Sequence, residues 1–141
     1  MKRKISGTRE RELHAFPIFA ACSAEELADI DGQGTEITVS AGETLVREGH
    51  PGRQSFIVVS GEAVVVAGGR EIARLGPGEF FGEMAVLTLR PRSATVRAAT
   101  NMRLLVLEPR ELGRVLRVTA VSRAMLSGVC DRLYKMEEQL V

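Results

Sequence analysis

The spacing of apolar residues changes twice along the chain, and each change predicts a different kind of structure. Near the N-terminus, Leu13, Phe16, Ile18 and Phe19 form an apolar cluster interrupted by Pro17, which predicts two short helical pieces packed on a core. Ser23 then opens the run S-A-E-E, a capping box in which the serine hydroxyl serves an exposed amide and Glu26 reaches back. Leu27 and Ile30 give the following helix one apolar edge, and Gly32 and Gly34 end it. Over residues 35–108 the pattern becomes short β-rich runs: TEITV, TLVRE, SFIVVS, AVVVA, REIARL, SATVRA and MRLLVLE. AGE, GHPG, SGE, AGG and LGPGE punctuate them, so turns arrive about every ten residues, as in an antiparallel sandwich, jelly roll or barrel. Gly68–Gly69 sits between two such runs and suits a hairpin turn. Residues 80–87, FFGEMAVL, lack alternation and predict one helical turn inserted into the β roll.

Helical spacing returns over residues 109–141. Pro109 suits a first helical position, and Leu112, Val115 and Leu116 share one face. Leu126, Val129, Leu133, Met136 and Leu140 then recur at alternating steps of three and four, a seam of about two heptads. Two uses fit that seam: pairing with a second copy of the helix, or lying as a terminal helix on the roll. The expected architecture is mainly β, an antiparallel roll with helices at both ends.

Length and charge narrow the function classes. The chain has 141 residues, 45% of them hydrophobic, which suits one domain with one core. Lys plus Arg (19) nearly cancels Asp plus Glu (18), so no basic excess points to nucleic acid. No apolar run approaches the roughly 18 residues needed to span a bilayer. The opening MKRKISGTRERE lacks the apolar stretch of a signal peptide, so the expected location is cytoplasmic. Residues 1–12, with Lys2, Arg3, Lys4, Arg9 and Arg11, read as a solvated charged lead before a domain over residues 13–141. Cys22 and Cys130 are far apart and read as free thiols in a reducing compartment. His14 and His50 have no neighbours at metal-ligand spacing and no nucleophile motif, so neither a metal site nor an enzyme is expected.

The chemistry concentrates in residues 81–95. Gly82 and Glu83 open the inserted helical turn, where free backbone amides favour an anion. Arg92 follows ten residues after Gly82, with Ser93 beside it; a guanidinium grips a phosphate with two parallel hydrogen bonds, and a hydroxyl adds another. Glu83 would repel a phosphate, and it makes sense there if the ligand also carries a hydroxyl, such as a ribose 2′-OH. A sugar phosphate satisfies all three groups. An ordinary surface ion pair between Glu83 and Arg92 is the plainer alternative.

The run G-E-M-A-x6-R-S-A-T, preceded by LGPGEF, resembles the phosphate-binding cassette of cyclic nucleotide-binding domains. The resemblance extends from about Leu13 onward, through FPIF, the capped helix, VREG ending at Gly49 and IVVSGEAVV around Gly61. It implies a β roll of the double-stranded β-helix type with C-terminal hinge helices, and cAMP as ligand, with cGMP less favoured because Ser93 stands where some cGMP-binding relatives carry threonine. It implies that Glu83 receives the ribose 2′-OH, Arg92 pairs with the cyclic phosphate, and Ser93 adds a phosphate contact. Gly82, Met84 and Ala85 would line the cassette. Leu89 and Arg90 depart from the pattern, standing where the family often has glycine or small polar residues. A lid over the base is expected from the C-terminal helix, with Tyr134 the first candidate and Leu133 and Met136 the others.

By the same resemblance the chain is a regulatory sensor that repositions its C-terminal helices, acting on an unidentified effector or a second copy of itself. The competing expectation is an interaction module on this fold that binds no nucleotide. No DNA-binding partner is expected, because a module of the catabolite-activator type would follow the last helix.

Overall fold

A computed structural model describes residues 8–140. Its strands pair antiparallel throughout into two four-stranded sheets. One runs in the order β1 (Thr35–Val39), β8 (Met102–Leu107), β3 (Ser55–Ser60), β6 (Phe80–Phe81). The other runs β2 (Thr44–Val46), β7 (Thr95–Ala98), β4 (Ala63–Ala67), β5 (Arg70–Leu75). Ahead of the roll come α1 (Thr8–His14), a 3-10 turn (Pro17–Phe19) and α2 (Ala24–Asp31); α3 (Glu83–Thr88) interrupts it, and α4 (Pro109–Leu116) and α5 (Thr119–Leu140) follow.

The continuous apolar runs at β3 and β8 have a physical cause: both strands are covered on both faces. Phe56 and Val58 of β3, with Leu104 and Val106 of β8, point between the sheets, where the Phe56 and Phe81 rings stack at 4.6 Å. Ile57, Val59, Leu105 and Leu107 point the other way, onto Leu13, Phe19, Leu27, Leu112 and Val121 of the helical layer. A strand with two buried faces shows no alternation, unlike one half-exposed to water.

Local chemistry sets the helix ends. Ser23 caps α2 by accepting from the Glu26 amide, while Glu26 accepts from the Ser23 amide, as the sequence predicts. Pro109 occupies the first turn of α4, where its missing N–H costs nothing. Glu108 is the N-cap of that helix and forms a second capping box with Glu111, whose other oxygen accepts from the Gly34 amide at 2.7 Å. Gly68–Gly69 forms the β4–β5 turn, both at positive φ.

Two expectations need correction. Residues 80–87 are not all helical: Phe80 and Phe81 form β6, paired with Ile57 and Phe56, and the helix begins at Glu83. The Phe56–Phe81 stack inside the roll wins over local helical preference. The lead is also not wholly solvated. Arg9 lies in α1, only 2% exposed, and donates to the Asp31 carboxylate at 2.5 Å and to the Asp31 carbonyl at 2.6 Å. Burial without pairing would be prohibitive for both charges, so the Asp31 partner is what lets α1 dock. Lys2, Arg3 and Lys4, and the side chains of Met84, Met136 and Leu140, lie outside the described residues.

Candidate functional site

The inserted segment breaks out of β6 at Gly82, the N-cap of α3, with φ +84°. A side chain there would strain the backbone and also crowd the Gln54 carbonyl at 2.9 Å and Arg92 Nη1 at 2.8 Å. The short helix ends at Leu89, whose φ of +57° is the left-handed conformation usual for a glycine after a helix. The departure noted at this position is thus accommodated by conformational strain, with Leu89 itself 78% exposed.

Arg92 returns to the roll and is held at both ends. Its backbone amide donates to the His50 carbonyl at 2.9 Å, and its carbonyl accepts from the Gly49 amide at 2.8 Å. Its guanidinium donates through Nη1 to the Gly82 carbonyl at 2.9 Å and through Nη2 to the Gln54 carbonyl at 2.8 Å. The group also passes close to Gly52, where an added Cβ would stand 2.5 Å from Nε. Arg92 is 7% exposed; burial pulls its pKa below the usual guanidinium range, and the nearby charge of Glu83 opposes that shift. A guanidinium stays protonated through such a shift, and among the described residues its remaining donors have no partner.

Glu83 is 3% exposed, and its Oε1 accepts no hydrogen bond. Burial raises its pKa; its own backbone amide and the charges of Arg132 and Arg92 work against that rise. The ion pair it makes is with Arg132 of α5, at 3.5 Å, and not with Arg92 as the plainer sequence reading had it.

These groups share one cavity of about 390 Å³. Gly82, Glu83, Arg92, Ser93 and Arg132 make its polar side, and Val65, Ile72, Ala73 and Leu75 an apolar wall. The volume lies within the range of small-molecule sites, and the pairing of a cation, a carboxylate and an apolar wall matches a nucleotide's phosphate, sugar and base.

A family profile for the cyclic nucleotide-binding domain matches residues 36–118. The chain belongs to the cyclic nucleotide-binding domain family. It is 40% identical over 119 residues to a cyclic nucleotide-gated potassium channel of Mesorhizobium japonicum, covering 77% of this chain and 33% of the channel. It is 35% identical over 132 residues to the cAMP-dependent protein kinase regulatory subunit of Mycosarcoma maydis, covering 87% of this chain and 24% of the subunit. The chain therefore spans a third or less of the length of these relatives. A solved structure described as Sp-2Cl-cAMPS bound to PKAR CBD2 superposes with a TM-score of 0.81 at 24% identity, covering 93% of this chain and 88% of that one, which establishes the shared roll.

Within this cyclic nucleotide-binding domain, Gly82, Glu83, Ala85, Arg92 and Ser93 all line the one pocket. Met84 takes its place in α3 between them. Tyr134 does not join them: it stands 64% exposed on α5, with Leu133 at 56%, and among the described residues of α5 it is Arg132 that lines the pocket. Arg132 and Tyr134 differ by about 200° around a helix, so one orientation cannot present both. Gly52 and Gln54 are the other residues the sequence did not single out. The GHPG turn reads as punctuation, and only the fold shows that Gly52 makes room for a guanidinium and that Gln54 offers it a carbonyl.

Proposed function

We propose that this chain is a regulatory domain that binds a cyclic nucleotide, with cAMP the favoured ligand, and signals through α4 and α5. The observation carrying this is the buried pair at one pocket. Glu83 has a buried carboxylate oxygen that lies 3.5 Å from Arg132 but accepts no hydrogen bond, which suits it to a ribose hydroxyl, and Arg92 has guanidinium donors left over for a cyclic phosphate. Ser93, exposed at the pocket, supplies a hydroxyl, and serine in place of the threonine of some cGMP-binding relatives favours cAMP in this reading. Tyr134 becomes a base contact only if α5 turns on ligand binding. In this reading the domain binds and does not catalyse, works in the cytoplasm, and acts on an effector protein by contact. Among the described residues no helix is long and apolar enough to cross a membrane.

Calorimetric titration with cAMP and cGMP tests the reading. Wild type should bind cAMP at micromolar concentrations and more tightly than cGMP, and Arg92→Ala should not bind detectably. No heat of binding at tens of micromolar for either nucleotide would sink it.

A second role rests on a separate observation. Val121 and Met125 hold one face of α5 in the core, while Leu126 (64% exposed) and Leu133 (56%) stand on another, with Val129 between them. The sequence's two uses of this helix therefore occupy different faces. We infer that the exposed seam pairs with a second copy of the chain. Light scattering after size exclusion should give a dimer that Leu133→Asp converts to monomer; a monomeric wild type at high concentration refutes it.

A further inference from the structure

We propose that Ser55 is a positioning residue for Glu83, acting through one buried water held between the Ser55 hydroxyl and the Glu83 carboxylate. This rests on the reading of the pocket given above, in which that carboxylate meets a ligand hydroxyl. Ser55 opens β3 and is 3% exposed. The β3–β6 ladder places it: Ile57 pairs with Phe80 and Phe56 with Phe81, so the next step sets Ser55 across from Gly82, one residue before Glu83. Arg92 marks the same junction. Its guanidinium donates to the carbonyls of Gln54 and Gly82, the residues just ahead of Ser55 and Glu83 on the two segments.

The two side chains meet at a second space, behind the pocket. A crevice of about 10 Å³ lies between the roll and the helical layer. Ser55 and Glu83 are its polar lining, and Phe19, Leu112, Val121 and Met125 are among its apolar walls. Among the described residues, Ser55 Oγ and Glu83 Oε1 are buried with no hydrogen-bond partner. Two such oxygens facing an apolar crevice are unfavourable, and folded proteins satisfy groups of this kind with ordered water. A volume of about 10 to 15 Å³ holds one water, which needs at least two polar partners to stay. The crevice supplies the room and the partners. Ser55 donates to the water, and the water donates to the carboxylate, which when ionised only accepts.

The water leaves the ligand's contact free. Glu83 stands in the wall between crevice and pocket and lines both. A carboxylate has about four acceptor positions on its two oxygens, so a bond from the crevice side leaves others for a ligand hydroxyl and for Arg132. What the water adds is a fixed side-chain direction and a donor to the anionic form. Burial raises the Glu83 pKa, and its own amide and the charges of Arg132 on α5 and Arg92 ahead of β7 oppose the rise. A bond donated from the crevice opposes it as well. Among the described residues, Glu83 is the only titratable group lining the crevice.

Two measurements on the full chain need no ligand. A high-resolution crystal structure should show one ordered water within hydrogen-bond reach of both Ser55 Oγ and Glu83; a dry crevice, or a water touching only one of them, overturns the proposal. Carbon-13 NMR of labelled glutamate carboxyls should place the Glu83 titration midpoint higher in Ser55→Ala than in wild type, because the variant loses a donor to the anion. An unmoved or lowered midpoint overturns it. With ligand, calorimetry at neutral pH should show Ser55→Ala binding cAMP about three- to tenfold more weakly than wild type, the scale of one hydrogen bond. 2′-Deoxy-cAMP, which lacks the hydroxyl that Glu83 receives, should bind both proteins equally. Equal cAMP binding, or an equal loss for both nucleotides, overturns the positioning role. Failure of wild type to bind any cyclic nucleotide overturns instead the reading of the pocket, and the ligand-free measurements keep the two failures apart.

Discussion

Gly52→Ala should abolish nucleotide binding and leave the fold intact. Gly52 is not among the glycines at positive φ, so its backbone accepts alanine without strain. The new Cβ would stand 2.5 Å from Arg92 Nε, 2.6 Å from Nη2 and 2.8 Å from Cζ. Ordinary contact begins at roughly 3.5 Å, so the guanidinium must retreat by about 1 Å. It can do so, because these atoms end a flexible side chain beside an open cavity. The retreat breaks the bonds to the Gly82 and Gln54 carbonyls that aim the group. It misplaces two charge-assisted bonds to a phosphate, each worth about 1.5 kcal/mol or more, for a loss of about 3 kcal/mol. A nucleotide of about 22 non-hydrogen atoms at ~0.3 kcal/mol each binds near 10 μM, and that loss carries it to about 1 mM. Calorimetry should therefore show no binding at tens of micromolar, with a melting temperature within about 3 °C of wild type. Gly76→Ala is the matched control: its Cβ meets nothing within 4 Å and its φ is not positive. Binding by Gly52→Ala within threefold of wild type would refute the claim that this glycine seats the phosphate-gripping arginine.

Glu83→Gln should melt about 3 to 5 °C higher than wild type, because it removes a buried carboxylate whose Oε1 accepts no hydrogen bond from the protein, worth about 1 kcal/mol, and forfeits only a long ion pair to the half-exposed Arg132. The pH dependence follows in sign. Burial raises the Glu83 pKa, so the folded state holds this proton more tightly than the unfolded chain, and stability is lost as pH rises through the raised value. The gap between variant and wild type should narrow as the melts are moved to lower pH through that value; a widening gap refutes the assignment. Leu89→Gly should stabilise by about 1 kcal/mol, since the left-handed strain goes and an exposed side chain forfeits little packing; an unchanged denaturation midpoint would contradict it. Gly113→Ala, on the open face of α4, should add about 0.5 to 1 kcal/mol by helix propensity, read in the same denaturation assay. Arg9→Met should cost about 3 kcal/mol by leaving Asp31 buried and unpaired, and adding Asp31→Leu should recover most of it in a double-mutant cycle.

What could be read from the chain, and what could not, separates by the range of the interaction. The roll, the Ser23 cap, the Pro109 start and the hairpin at Gly68–Gly69 rest on neighbours a few residues apart, and their signals lie within such windows. The placement of Glu83 and Arg92 at one pocket was also legible, because the segment that holds them is continuous. The Arg9–Asp31 bond spans 22 positions, the Arg92–Gln54 bond 38, and the Glu83–Arg132 pair joins two distant helices. A charged residue whose partner is remote looks like any solvated charge, which is why Arg9 read as surface and Arg132 went unnoticed beside Tyr134. The helical seam illustrates the same limit from the apolar side. Leu126, Val129 and Leu133 mark a real stripe, but the stripe on the roll is Val121, Met125, Gly128 and Arg132, roughly a quarter-turn away. That stripe ends in a glycine and an arginine and so carries no apolar signal. The division has a functional consequence: α5 meets the pocket through one face and presents its apolar residues on another.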